Sequence, residues 1–156
     1  MAGNHGLRGS TLEAMVNLTI ERYREDGLAV IQKIPTPITP INIEKETRHI
    51  TLAYFDAKEC KVDTFPLQNI HEHQYRFMRD FEAQDGIAFL LLFFTGRDEM
   101  IYLPFRELAH FWERAEKGGR KSFLYAELDK DYVVRDGDGT PAHFLPLLQK
   151  DLNERE

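Results

Sequence analysis

Ile87-Ala88-Phe89-Leu90-Leu91-Leu92-Phe93-Phe94 is the longest uninterrupted apolar stretch of the sequence, and it decides the fold. Eight residues are too few for a membrane-spanning helix, which needs about 20. A strand that is apolar at every position is buried on both faces, as in a sheet covered by helices on each side. We therefore expect residues 87–95 to form the central strand of the fold.

On both sides of this strand, helical and extended patterns occur in turn. Apolar residues recur at helical spacing in residues 12–25, 66–84, 106–117 and 141–153, and Ser10 with Glu13 matches a capping box before the first of these helices. Extended patterns occupy residues 28–33, 41–43, 49–58, 100–103 and 132–134, the second and third forming a hairpin and the last an edge strand. This order predicts an α/β fold with a mixed central β-sheet flanked by helices, in a single domain over residues 1–156.

Composition and charge exclude several classes of protein. With 42% hydrophobic and 29% charged residues, the chain is not intrinsically disordered. A single cysteine, Cys60, excludes a disulfide framework and a cysteine-based zinc site, and we expect its role to be structural. The N-terminus lacks the apolar core of a signal peptide, so we expect a cytoplasmic protein without membrane contact. The net charge of −6 is unusual for a protein that binds nucleic acid, although eight of the 26 acidic residues follow residue 126.

Asp56 and Lys58 carry the strongest chemical signal. Both lie in the extended segment 49–58, where residues i and i+2 share one face of a strand. A carboxylate binds hard cations such as Mg²⁺, and a neighbouring ammonium group stabilises charge that develops on a phosphate. The pair therefore suits metal-dependent hydrolysis of phosphodiesters, although on its own the motif is weak and a charged pair on a solvated strand face is the simpler interpretation.

Several short blocks place this pair in a wider pattern. They are Arg8-Gly9-Ser10-Thr11-Leu12-Glu13, Pro35-Thr36-Pro37-Ile38, Phe55-Asp56-Ala57-Lys58-Glu59, His71-Glu72-His73-Gln74 and Gly118-Gly119-Arg120-Lys121-Ser122. In these blocks and their order, nearly end to end, the chain resembles the RecU family of Holliday-junction resolvases, members of the PD-(D/E)xK nuclease superfamily. The resemblance implies a restriction-endonuclease-like core, Mg²⁺ or Mn²⁺ as cofactor, a homodimer, and branched DNA such as a four-way junction as substrate.

The resemblance also implies a role for individual residues. Asp56 would bind the metal and Lys58 would be the catalytic lysine. Glu13 would be an auxiliary acid near the metal, and Gln74 would support the site from the following helix. The residues implied to contact DNA are Arg8, Arg120 and Lys121.

The expected metal site departs from the family pattern. The family generally has glutamate where this chain has Asp56, and a second aspartate about a dozen residues upstream, whereas this chain has no aspartate between Asp26 and Asp56. Glu44 and Glu46, 12 and 10 residues upstream, are substitutes by count. A hairpin that turns at Glu46 would hold them about 30 Å from Asp56 at ~3.3 Å per residue, with Thr36 beside Asp56 instead. We therefore treat both glutamates as doubtful metal ligands.

A second departure concerns length. The chain between Pro37 and the strand with Asp56 is shorter than in the family, so the stalk that resolvases insert into the junction is expected to be missing. Two functions remain open: a divalent-metal-dependent endonuclease that cleaves branched DNA in recombination and repair, and a catalytically reduced, dimeric DNA-binding or protein-interaction module of the same fold. A third interpretation is a polar strand face without function.

Two further features have simpler interpretations. Neighbours two apart on a helix diverge by about 200°, so His71 and His73 are expected to point apart and not to share a metal. Trp112, with apolar neighbours at helical spacing, is expected to lie in the core or in a dimer interface.

Overall fold

The computed structural model describes residues 11–33, 52–137 and 139–155, and every structural statement below concerns these residues. The helices are α1 (Leu12–Glu25), α2 (Glu72–Ala83), α3 (Phe105–Glu116) and α4 (Leu145–Asn153). The strands are β1 (Ala53–Cys60), β2 (Thr64–Pro66), β3 (Ile87–Phe94), β4 (Glu99–Pro104), β5 (Ser122–Leu124), β6 (Val133–Gly137) and β7 (Thr140–His143). Within the described ranges, no helix is long and apolar enough to cross a bilayer.

A five-stranded mixed sheet organises the fold. Its order is β1-β3-β4-β6-β7, in which β1 runs parallel to β3 and the other neighbours are antiparallel. β2 and β5 form a separate two-stranded antiparallel sheet. All eight residues of β3 are buried, because the strand is paired on both edges and covered on both faces. The predicted central strand and the predicted α/β class are therefore confirmed.

Helices cover the two faces of the sheet, as neighbouring residues of β1 demonstrate. Tyr54 packs against Phe77 of α2, with ring centroids 4.8 Å apart. Phe55 points to the opposite face, where it packs against Phe144, and Phe144 in turn contacts Tyr23 of α1. The face of β1 that carries Tyr54 is therefore covered by α2, and the other by α1 and the start of α4.

α1 confirms the predicted helix 12–25, with one change at its start. The side chain of Thr11, rather than the predicted Ser10, accepts a hydrogen bond from the Ala14 backbone N–H at 3.1 Å. Ser10 itself lies outside the described residues. The helix ends at Asp26 and Gly27, where glycine adopts a left-handed conformation with φ of 69°.

Asp151 anchors the last helix to the sheet. Its carboxylate is fully buried and accepts hydrogen bonds from the Tyr102 hydroxyl at 2.6 Å, from Arg106 at 2.5 Å and from Arg155 at 3.1 Å. Arg155 also pairs with Glu82 of α2. α4 is thus tied to β4, α3 and α2 through one carboxylate.

The predicted helix 66–84 was wrong in its first turns. Pro66 has extended backbone angles and is the last residue of β2, opposite Ser122 of β5. Residues 67–69 form a single 3-10 turn, and α2 begins only at Glu72. The short β2–β5 sheet, absent from the prediction, is the reason for this later start.

The predicted helix 141–153 was also wrong at its beginning. Residues Thr140–His143 pair with β6 as β7, and the helix begins at Leu145. As a consequence, the strand predicted at 132–134 is not an edge strand, because β6 lies between β4 and β7.

The segments before β1 differ from the predicted hairpin or lie beyond the description. Residues 28–33 are irregular rather than a strand. Residues 41–43 and 49–51 of the predicted hairpin, and its register against Thr36, lie outside the described residues. The part of the predicted strand 49–58 that is described, from Ala53 onward, is confirmed as β1.

Candidate active site

Alternation along β1 brings Asp56 and Lys58 together on one face. The Lys58 ammonium nitrogen lies 2.9 Å from Oδ2 of Asp56. Phe55, on the other face, stacks on Phe89 of β3 with ring centroids 5.2 Å apart. The prediction that residues i and i+2 place the carboxylate beside the ammonium is confirmed.

Gln74 joins this pair from α2. As the third residue of the helix it faces β1, and it is 8% exposed. Its side-chain Nε2 donates to Oδ2 of Asp56 at 2.7 Å and to the hydroxyl of Tyr54 at 3.2 Å. The predicted supporting contact between Gln74 and Asp56 is therefore present in the structure.

The Asp56 carboxylate is held on both oxygens. Oδ2 contacts Lys58 and Gln74, while Oδ1 accepts a hydrogen bond from the Ala57 backbone N–H at 2.9 Å. All three partners are hydrogen-bond donors, so together they fix the orientation of the carboxylate. The side chain remains 35% exposed, which leaves it accessible from the neighbouring cleft.

Tyr54 belongs to the same cluster, and sequence reasoning missed it. Its ring packs against Phe77 and Phe81 of α2, and its hydroxyl accepts from Gln74. Burial raises the pKa of Tyr54, and the charge of Asp56 raises it further against the opposing effect of the Gln74 hydrogen bond, so the phenol is neutral near pH 7. The available signal was the strand alternation itself, which places Tyr54 two residues before Asp56.

The edge of β1 opposite β3 bears backbone oxygens near the carboxylate. The carbonyl of Leu52, just before β1, accepts from the Ile87 N–H, and that of Cys60 accepts from the N–H of Thr95, just after β3. The carbonyls of even-numbered residues therefore point toward β3. Odd-numbered residues, Ala57 among them, therefore direct their carbonyls to the other edge. No strand pairs with this edge within the described ranges. Ala57 thus offers an oxygen on the side toward which the Asp56 carboxylate turns.

A cleft of about 1060 Å³ lies along this edge. α1, residues 28–33 and β1 line it, and Glu13, Asp56, Lys58 and Gln74 all contribute to its walls. Glu13 pairs there with Lys33, at 3.4 Å between Oε1 and Nζ. Among the described residues, no hydrogen bond or ion pair joins Glu13 to Asp56. The structure therefore places the predicted auxiliary acid in the same cleft as Asp56, paired with Lys33.

The donor set of the cleft suits a hard divalent cation. Carboxylate and carbonyl oxygens are the ligands that Mg²⁺ and Mn²⁺ prefer, and Asp56, Glu13 and the Ala57 carbonyl provide them. Within the described part of the chain, no group of three or more His, Cys, Asp or Glu side chains is arranged to hold a metal. Glu44 and Glu46, the two doubtful ligands, lie outside the described residues.

The predicted DNA-contacting loop is held by backbone hydrogen bonds and exposes its basic side chains. Gly118 has φ of 86°, which favours glycine, and the Gly119 N–H donates to the Arg114 carbonyl at 2.9 Å. The Lys121 carbonyl accepts from the Leu67 N–H at 3.0 Å, which fixes the loop beside the segment that leads into α2. Arg120 and Lys121 are exposed. Arg8 falls outside the part of the chain that the structure describes.

Arg114 holds this loop from α3. Its guanidinium donates to the Ser122 carbonyl at 2.8 Å and forms an ion pair with Glu127 at 2.5 Å. The same Glu127 accepts from the Leu124 N–H, and chiefly the Arg114 hydrogen bond lowers the pKa of its carboxyl. The backbone on either side of Arg120 is thereby fixed.

The remaining sequence candidates have structural explanations. The prediction that His71 and His73 point apart was wrong: their rings stack with centroids 5.3 Å apart, because His71 precedes the helix and has an extended backbone. Trp112 stacks on Tyr75 at 4.2 Å, which confirms that it packs against the core. Cys60 is buried, and its thiol contacts backbone carbonyls.

Comparison with known proteins gives consistent matches. The family model described as RecU, Recombination protein U, matches residues 7–56 and 54–150. The Holliday junction resolvase RecU of Bacillus subtilis (strain 168) is 36% identical over 173 residues, which cover 96% of this chain and 83% of the relative. The protein of the same name from Oceanobacillus iheyensis is 40% identical over 160 residues, with 88% and 79% covered. That from Geobacillus sp. (strain WCH70) is 38% identical over 150 residues, with 81% and 75% covered.

These alignments also bear on the expected loss of a segment. The alignment with the Bacillus subtilis protein runs over 173 residues, whereas 96% of this chain is about 150 residues. This chain therefore lacks about 20 residues within the aligned region. The family model matches in two pieces that meet at residues 54–56, at the start of β1. The difference in length agrees with the prediction of a shortened chain, and the match to the family model is divided within the strand that carries Asp56.

Proposed function

The chain belongs to the RecU family, and from this membership we propose that it is a divalent-metal-dependent endonuclease that cleaves branched DNA in recombination and repair. The observation that carries the proposal is the convergence of Lys58 and Gln74 on Oδ2 of Asp56, beside an open cleft. In this arrangement a carboxylate, an ammonium group and an amide meet at one accessible point.

Each group has a distinct part in the proposed reaction. Asp56, the Ala57 carbonyl and Glu13 would hold the cation, which supplies an activated water and neutralises phosphate charge when bound. Lys58 stabilises the negative charge that develops on the scissile phosphate. Gln74 keeps the Asp56 carboxylate in one orientation. To bind the cation, Glu13 would break its ion pair with Lys33.

Binding of the substrate is the task of the basic loop. Arg120 and Lys121, with Arg8, would contact backbone phosphates, which position a nucleic acid without reading its sequence. Their number is small and the chain is acidic overall, so we expect weak binding. Because the salt dependence of affinity grows with the number of phosphates contacted, we expect that dependence to be shallow. We further propose a single domain that acts as a cytoplasmic homodimer and cuts two strands symmetrically.

A DNA-binding module that has lost cleavage is the second candidate. One observation favours it: the described residues bring only Asp56, among the carboxylates of the cleft, into contact with Lys58. The shortened segment before β1 bears on substrate rather than on chemistry, because a protein without the stalk would distinguish a junction from duplex DNA less sharply.

Cleavage of a labelled four-way junction and of a matched linear duplex tests the proposal. The assay compares Mg²⁺, Mn²⁺ and EDTA for the wild type, for Lys58→Ala, and for Lys61→Ala as a control that removes an exposed lysine three residues away. We expect metal-dependent cleavage that Lys58→Ala lowers by about 100-fold or more and that Lys61→Ala leaves within about twofold.

The other outcomes are equally informative. Binding of the junction without cleavage in either metal would support the second candidate. Cleavage that persists in EDTA, or that Lys58→Ala does not change, would refute the proposed chemistry. Light scattering of the same preparation measures the mass in solution and so tests the homodimer.

A further inference from the structure

We propose that Tyr54 is a positioning residue of the site: its hydroxyl accepts the second N–H of the Gln74 amide and thereby fixes the amide that orients Asp56. The inference rests on the proposed function, since Asp56 is the group that would hold the cation. It concerns a residue that the alternation of β1 places beside the site but that was not among the predicted site residues.

The geometry of the Gln74 amide is the first argument. An amide nitrogen has two protons, and here one is donated to Asp56 at 2.7 Å and the other to Tyr54 at 3.2 Å. Because both acceptors contact the same nitrogen, they lie no more than about 6 Å apart. Gln74 is 8% exposed, so water has little access to either proton. Without the Tyr54 hydroxyl, one buried N–H would lose its partner.

The rigidity of the tyrosine is the second argument. Its ring packs against Phe77 at 4.8 Å and against Phe81 at 6.4 Å, and both belong to α2, the helix that carries Gln74. The hydroxyl therefore has a fixed position relative to the amide. Removing the hydroxyl alone, as in Tyr54→Phe, leaves this packing in place and isolates the hydrogen bond.

The consequence for Asp56 follows from the two faces of an amide. If the Gln74 amide rotates by 180°, its carbonyl oxygen replaces the nitrogen and faces the Asp56 carboxylate, where it repels rather than donates. The Asp56 carboxylate thus selects the orientation in which the amide donates, and the Tyr54 hydroxyl, by accepting the second N–H, holds the amide there. Tyr54 thus acts on Asp56 through Gln74.

The first test is the hydrogen exchange of the Gln74 side-chain amide, measured by NMR on ¹⁵N-labelled protein without metal or DNA. We expect exchange to become about 10-fold faster or more in Tyr54→Phe, because one N–H loses its partner. Tyr125→Phe is the matched control, since it removes a hydroxyl that donates to Glu99 outside the cleft. Equal exchange in Tyr54→Phe and wild type would overturn the proposal.

The second test is the affinity for Mn²⁺, measured by calorimetry on the DNA-free protein. Outer partners of metal ligands typically contribute 10–100-fold in affinity. Because Tyr54 acts one residue further out, we expect Tyr54→Phe to weaken binding by about 3- to 10-fold and Tyr125→Phe to leave it unchanged. In a Gln74→Leu background the effect of Tyr54→Phe should vanish, because the amide through which it acts is gone.

The outcomes separate this inference from the proposed function. A Tyr54→Phe effect that persists undiminished in the Gln74→Leu background would refute a role through Gln74. Wild-type protein that binds and cleaves while Tyr54→Phe matches it in every assay would overturn the inference alone. A wild type that neither binds Mn²⁺ nor cleaves would overturn the proposed function, and the exchange experiment would still decide whether Tyr54 fixes the amide.

Discussion

Replacing Asp151 by alanine should lower the free energy of unfolding by about 2–4 kcal/mol, a large effect for a residue only five positions before the last residue of the sequence. Asp151 is fully buried and accepts from Tyr102, Arg106 and Arg155. The three donors differ in solvent exposure, so the loss of stability can be assigned to each of them separately.

The magnitude follows from what each donor loses. The Tyr102 hydroxyl belongs to a residue that is 1% exposed, so it would remain buried without an acceptor, at a cost of about 1–3 kcal/mol. The Arg106 and Arg155 side chains are 42% and 25% exposed and keep carboxylate partners in Glu154 and Glu82. Each would therefore lose at most about 1 kcal/mol.

Urea unfolding of the wild type, Asp151→Ala, Tyr102→Phe and the double variant measures this. We expect a lower midpoint with an unchanged slope for Asp151→Ala. In the Tyr102→Phe background the loss should shrink by about 1–3 kcal/mol, because no hydroxyl is then left without a partner. A loss below about 1 kcal/mol, or the same loss in both backgrounds, would refute the reasoning.

Two further outcomes follow from the same structure. Burial raises the pKa of the Tyr102 hydroxyl in the folded protein. Above a pH of about 10 the unfolded chain therefore loses this proton while the folded protein keeps it, so stability should fall as pH rises. Urea midpoints measured between pH 9 and 11 should fall less steeply in Tyr102→Phe than in the wild type. A Cβ at Gly119 would lie 2.7 Å from the Arg114 carbonyl oxygen, so Gly119→Ala must displace the loop that carries Arg120. We expect this variant to bind a junction about 3- to 10-fold more weakly in fluorescence anisotropy. Gly27→Ala, which strains the end of α1, is the control and should leave binding unchanged.

The parts of the fold that the sequence predicts correctly are those with a strong local pattern. Continuous apolarity identified β3, and helical spacing gave α1 with both ends correct and α3 within one residue. Pattern failed where the pairing of short strands decides. Pro66 and Thr140 each precede residues that read as helical, but Pro66 pairs with Ser122, far along the chain, and Thr140 pairs with Gly137, three residues earlier. A two- or three-residue pairing leaves too little periodicity to recognise.

The same distinction, between local pattern and packing between elements, applies to the candidate site. Asp56 and Lys58 are predictable because two-residue spacing alone fixes their common face. Gln74 was reached only through the family resemblance, since its distance from Asp56 depends on how α2 packs against β1. Glu13 lies in the cleft that Asp56 also lines, but its partner Lys33 belongs to a segment whose extended pattern predicted a strand that does not form. Such a contact depends on packing between elements and has no signature in local sequence.

The apolar sequence of β3 also makes the unfolded chain prone to aggregation. In the native sheet both of its edges are paired and its surface is covered, so it is protected from other chains. In a newly made or denatured chain, eight apolar residues without a charge are a template for intermolecular strand pairing. Asp85 before the strand, and Arg97 with Asp98 after it, are the nearest charges that oppose such pairing. Heat-denatured protein should therefore aggregate through this segment faster than it refolds, so that its thermal lifetime is set by the rate of unfolding.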